Sequence, residues 1–154
     1  MKKKHYPKST PLWRFLFVVY AVILLWLLFD RPSGWGSELS YAGQMRQNMN
    51  LIPFYTIGNY WQVVKRMDFT PIFYHCVINL GGNIFLFIPI GYFLPWLWPC
   101  LRKFFPFLLT CVLSITLVEL LQLVTLLGSL DIDDLILNLF GMLLGYVCFM
   151  IFKK

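Results

Sequence analysis

This sequence encodes an all-α, polytopic membrane protein of about four transmembrane helices, with an external interfacial segment between helices 1 and 2. Apolar residues make up 59% of the chain, aromatic residues 19%, and the mean hydropathy is +0.69, all far above a soluble globule. Only 13% of residues are charged, too few to cover a water-exposed surface. The third observation is arrangement. A hydrocarbon core takes about 20 apolar residues to cross, and such runs recur at about 13–29, 71–97, 104–127 and 132–152. At 154 residues the whole of 1–154 is expected to be a single domain.

The formal charge of +6 does not point to nucleic acid, because its distribution marks topology. Lys2, Lys3, Lys4, Lys8 and Arg14 precede or open the first run, Arg102 and Lys103 separate the second from the third, and Lys153 and Lys154 follow the last. The acids Asp30, Glu38, Asp68, Glu119, Asp131, Asp133 and Asp134 all fall elsewhere. By the positive-inside rule both termini are cytoplasmic and segment 30–70 is external. The first run competes with a signal peptide, but Asp30-Arg31-Pro32 stands where a small-residue cleavage site belongs.

Segment 30–70 carries Arg31, Arg46, Lys65 and Arg66 together with Tyr55, Tyr60 and Trp61, aromatic rings suited to a membrane–water interface. Asn59–Met67 is a candidate short interfacial helix, and Pro53 breaks what precedes it. Thr70-Pro71 reads as a helix start, an N-cap hydroxyl followed by proline at the first helical position. Along the second span His75, Asn79 and Asn83 recur every four residues and share one face. Gly81 and Gly82 permit close approach of another backbone, and Pro89 should kink the helix. Pro106 sits in the first turn of the third span, where proline is tolerated. Gly141 and Gly145 give the fourth span a small-xxx-small contact face.

The stretch Glu119–Gly145 organises the rest. Glu119 and Gln122 share one helix face, Asp134 and Asn138 another, and Gly128-Ser129 lies in the hairpin between them. An ionisable group at bilayer depth costs roughly 2.5–3.5 kcal/mol or more, so by default it is a functional candidate. Counting about 1.5 Å of rise per residue, Glu119 lies about 12 Å below the outer end of its helix. The same count puts His75 and Asn79 in the outer half, Asn83 nearer the midplane, Asp134 at the surface and Asn138 one turn down. Stripes from three helices then converge on an outward pocket. Structural roles compete with this reading. Asp131 to Asp134 has capping-box spacing, and the asparagines can be interhelical hydrogen-bond glue. His75 can be an ordinary interfacial residue. Cys76, Cys100, Cys111 and Cys148 show no metal or redox spacing and read as small apolar residues. No cofactor or metal is implied.

Four linked motifs carry a resemblance. Asn50-Leu-Ile-Pro-Phe54, Asn79-Leu-Gly-Gly-Asn83 through Pro89-Ile-Gly91, Glu119-Leu-Leu-Gln122, and Asp131-Ile-Asp-Asp134 through Asn138-Leu-Phe-Gly141 to Gly145-Tyr146 resemble the VanZ-like family. The likeness runs in order over roughly residues 12–150. It implies a Gram-positive cell-envelope membrane protein associated with lowered susceptibility to teicoplanin, a lipoglycopeptide. One departure is Gly128-Ser129-Leu130, where many relatives carry Gly-Arg before the acidic motif.

The first functional reading is therefore a protein of the bacterial cell membrane that binds or interferes at the outer leaflet. Its pocket residues would be Asn79, Asn83, Glu119, Gln122, Asp131, Asp134 and Asn138, with Arg31 and Arg46 able to meet phosphate or carboxylate groups. Its partners would be membrane lipids and a lipoglycopeptide or lipid-linked cell-wall precursor. A second reading is an intramembrane enzyme on a lipid-linked substrate, with Glu119 as acid/base and His75 assisting. No serine elbow, His-Glu-x-x-His or P-loop supports it. A small transporter is the third, disfavoured because the inner halves of the spans carry almost no polar residues.

Overall fold

A computed structural model describes residues 11–30, 39–67 and 69–152. Four helical runs are long and apolar enough to cross a membrane: Pro11–Phe29, Pro71–Leu97, Phe104–Thr125 and Ile132–Phe152. The chain is an all-α multi-pass membrane protein. The first span is α1 (Pro11–Phe29), and between it and the second lie α2 (Tyr41–Gln47), β1 (Met49–Asn50) and α3 (Tyr55–Arg66). The second span is divided into α4 (Pro71–Phe85) and α5 (Ile88–Leu97); a 3₁₀ turn at Pro99–Arg102 leads to α6 (Phe104–Thr125), and β2 (Leu130–Asp131) leads to α7 (Ile132–Phe152).

The break between α4 and α5 follows from Pro89, the second residue of α5, whose missing N–H leaves a gap in the ladder. The Phe87 N–H turns back to the Ile84 carbonyl at 3.2 Å, the tighter spacing of a 3₁₀ turn. The Tyr20 hydroxyl of α1 donates to the Leu86 carbonyl at the break. Thr70 caps α4 as its sequence indicates, its Oγ1 accepting the Phe73 N–H at 3.3 Å, with Pro71 at the first helical position.

α7 is the central element. A Cβ on Gly91 would run into the Met142 backbone, one on Gly141 into Ile84, and one on Gly145 into Ile88 and Tyr92. Backbone meets backbone at these points, and packing contact of this kind is what associates helices where lipid removes the hydrophobic drive. Leu24, Leu28, Phe87, Ile90, Phe107, Cys111, Ile115, Met142 and Tyr146 fill the core around it. Tyr146 stacks on Phe107 at 4.4 Å, and its hydroxyl donates to the Arg102 carbonyl at 2.8 Å. Cys76 and Cys111 are buried, whereas Cys100 is exposed. The exception has a simple cause: Cys100 lies in the turn between spans rather than inside one.

Residues 39–67 form a cap on one end of the bundle. Ser40 caps α2 through its Oγ, and the Tyr41 hydroxyl donates to the Val124 carbonyl at 2.7 Å, one of the last-turn carbonyls of α6 that its own helix leaves unpaired. β1 runs parallel to β2, Met49 beside Leu130 and Asn50 beside Asp131. This two-residue ladder ties the cap to the α6–α7 hairpin. α3 begins at Tyr55, four residues before the expected Asn59, directly after the Pro53 break.

Candidate functional site

The acidic motif is held by hydrogen bonds from three directions. Asp131 is the N-cap of α7: its Oδ1 accepts the Asp133 N–H at 2.9 Å, satisfying one orphan donor of the first turn. In a capping box the third helical residue would return the bond to the cap's own N–H. Here Glu119, on a different helix, does so, its Oε2 accepting the Asp131 N–H at 3.1 Å. That releases Asp134, whose Oδ1 accepts a hydrogen bond from the Asn83 side chain. Asp131 is also bound by the cap, through Asn50 Nδ2 at 3.2 Å and Thr56 Oγ1 at 2.6 Å.

Asp133 is the residue whose role sequence reasoning missed. It has no solvent exposure, and its two oxygens accept the backbone N–H groups of Phe54 and Ile57. Phe54 is the N-cap of α3 with φ 64° and no capping side chain of its own. Asp133 therefore caps α3 from another element and holds a bulky residue in the left-handed region it rarely adopts. Its partners are backbone groups, which leave no side-chain signature to read. Asn50 was legible only as part of a motif; its Oδ1 accepts the Ile52 N–H at 3.2 Å and fixes the turn before α3.

Beside this network lies a cavity of about 520 Å³. Its polar wall comprises Thr56 and Tyr60 of α3, His75, Asn79 and Asn83 of α4, and Ser129, Asp131 and Asp134 of the hairpin and α7. Its apolar wall comprises Leu27 and Leu28 of α1 with Ile78, Gly82 and Leu86. The His75 and Tyr60 rings meet edge to face at 5.9 Å at the junction of α3 and α4. The buried side-chain oxygens of Asn79 and Asn138 have no hydrogen-bond partner.

His75, Asn79 and Asn83 of α4 and Asp134 of α7 are thus brought together, whereas Asn138 is buried away from the cavity wall and α6 contributes from behind. Glu119 and Gln122 are buried and absent from the cavity wall. Gln122 Nε2 donates to the Leu28 carbonyl at 2.7 Å, one of the last-turn carbonyls of α1. Depth counting also needs correction. Asp134 was placed at the surface and Asn83 near the midplane, yet they are bonded. The count took every span to end in one plane. The second span has 27 residues, about 40 Å by rise per residue, against a core of about 30 Å. α4 therefore projects past the start of α7, and α3 packs on the projecting part. Arg46 is exposed and outside the wall. Arg31 lies outside the described residues. Among the described residues no three His, Cys, Asp or Glu side chains are grouped to hold a metal ion.

The VanZ/LLP1 family model matches residues 17–153, nearly the whole chain. The chain belongs to the VanZ/LLP1 family. It is similar to "Protein VanZ" of Enterococcus faecium, with 28% identity over 132 residues, 86% of this chain and 70% of that relative. No solved structure gives a significant match. The family match takes in most of α1, the cap, the acidic motif and the glycine face of α7 together.

Proposed function

We propose that this VanZ/LLP1 member is a protein of the bacterial cell membrane whose cavity faces outward and binds the membrane-embedded part of an envelope-active amphiphile. On this reading it lowers susceptibility to teicoplanin-type lipoglycopeptides by engaging the drug, or the lipid-linked cell-wall precursor the drug meets, at the outer leaflet. Orientation is argued from charge: nine of the thirteen Lys and Arg fall in residues 1–14, 102–103 and 153–154, against Arg31, Arg46, Lys65 and Arg66 in 30–70, a bias that favours a cytoplasmic side opposite the cap. One observation carries the reading. The cavity joins a polar wall to an apolar wall, the pairing required by a ligand that is part headgroup and part chain.

The carboxylates favour binding over catalysis. Asp131 is engaged by Asn50, Thr56 and the Asp133 N–H, and Glu119 stands behind the wall instead of in it. Proton transfer would need a group within about 2.6–3.2 Å of the reacting atom. His75 is the exposed titratable group on the wall, so the enzymatic alternative rests on it rather than on Glu119.

The test is a susceptibility panel on a strain lacking the protein, complemented with wild type and with Asn79→Leu. Wild type should restore tolerance to an acylated glycopeptide and leave a glycopeptide without a chain unaffected; Asn79→Leu should restore little, at equal membrane levels. Equal protection against both drugs would refute the amphiphile reading.

A further inference from the structure

The apolar wall of the cavity is only partly covered by protein. Ile78 and Leu27 line it and are 69% and 42% exposed, and they belong to two helices long and apolar enough to cross a membrane. Gly82 sits between Ile78 and Leu86 on this wall, and a Cβ added there would meet nothing within 4 Å. It differs in this from Gly91, Gly141 and Gly145, where a Cβ collides with a neighbouring backbone. Close helix packing explains those three glycines and does not explain Gly82. The slot is closed at depth, where the Tyr20 hydroxyl joins α1 to the Leu86 carbonyl. At its other end is Asn79, whose buried side-chain oxygen has no hydrogen-bond partner, an arrangement that costs free energy unless a donor satisfies it.

We propose that the cavity takes an amphiphile sideways from the membrane: an alkyl chain in the slot between α1 and α4 at Gly82, and a hydrogen-bond-donating head, amine or hydroxyl, at Asn79. Gly82 is then the specificity-determining residue for the chain. Sideways access has a physical advantage. Lipid tails are as apolar as leucine side chains, so moving a chain between them costs little, whereas lifting it through water would forfeit its burial. The head needs to move only far enough to reach the polar wall. This inference rests on the outward binding reading of the cavity. Its test locates a chain rather than measuring susceptibility, so the two can fail separately.

The experiment uses the full chain in phosphatidylcholine nanodiscs with two photoactivatable probes, a diazirine-bearing alkyl chain ending in a primary amine and the same chain ending in a methyl group. Peptide mass spectrometry should place saturable labelling by the amine on Leu27–Leu28 and Ile78–Leu86. Gly82→Leu should remove it. Gly81→Leu should keep it, because Gly81 is not on the cavity wall and a Cβ there makes only ordinary contact with Phe85 at 3.8 Å. Ile78→Trp narrows the slot from its exposed side and should also remove labelling, which covers the case of a poorly folded Gly82→Leu. Labelling spread over lipid-facing residues such as Leu109, Leu113 and Leu117, and unchanged by Gly82→Leu and Ile78→Trp, overturns the slot. Equal cavity labelling by the methyl-ended probe overturns the assignment of the head.

Discussion

Asp133 has no solvent exposure, and both its oxygens accept backbone N–H groups of another element. Hydrogen bonds to a charged group are worth roughly 1.5–3 kcal/mol each, and truncation leaves two part-buried backbone donors without this acceptor. Asp133→Ala should therefore destabilise the protein by about 2–4 kcal/mol, read as a lowered melting temperature of the detergent-solubilised protein. Asp133→Asn should rescue only part, since its amide turns an N–H₂ toward an N–H. Glu119→Gln is the contrasting case. Its amide oxygen can still accept the Asp131 N–H, so the cost should be about 1 kcal/mol and the phenotype graded. Complete loss of phenotype at wild-type membrane levels would instead favour acid/base catalysis, which a positioned group typically raises by about 10²–10⁴-fold. Before folding, Glu119, Asp131 and Asp134 stood out because carboxylates beside apolar runs are costly. Which of them would reach the cavity was not legible, since Glu119 is diverted by one backbone N–H twelve residues ahead.

At the scale of elements, α7 owes its position to glycines, and α3 owes its own to Asp133. Gly145→Leu would drive a side chain into the backbone of Ile88 and Tyr92. Overpacking of this kind typically costs about 1–3 kcal/mol, and forced separation of α5 from α7 should put it at the upper end, measured as loss of the folded fraction in a detergent melt. Gly58→Ala is the matched control, because a Cβ there meets nothing within 4 Å, and it should change little. The spans, the Thr70 cap and the Pro89 break were readable from periodicity and proline chemistry. The cap's attachment was not. Its fixings are a two-residue parallel ladder and backbone-to-carboxylate bonds, neither of which imposes a pattern on the residues between 39 and 54. The early start of α3 was missed for the same reason, as the side chain that caps its Phe54 N–H is an aspartate 79 residues away in sequence.

For the whole molecule, the central claim is that the cap end faces outside and its cavity is reachable from there. Ser129 lies on the cavity wall, and Cys100 is exposed in the turn at the opposite end. The most direct measurement is labelling of intact cells with a membrane-impermeant maleimide, comparing Ser129→Cys in a Cys100→Ser background with native Cys100. The account predicts that Ser129→Cys reacts from outside, with loss of protection against the acylated drug, and that Cys100 reacts only after the membrane is permeabilised. Reaction of Cys100 in intact cells, with Ser129→Cys reached only after permeabilisation, would contradict it.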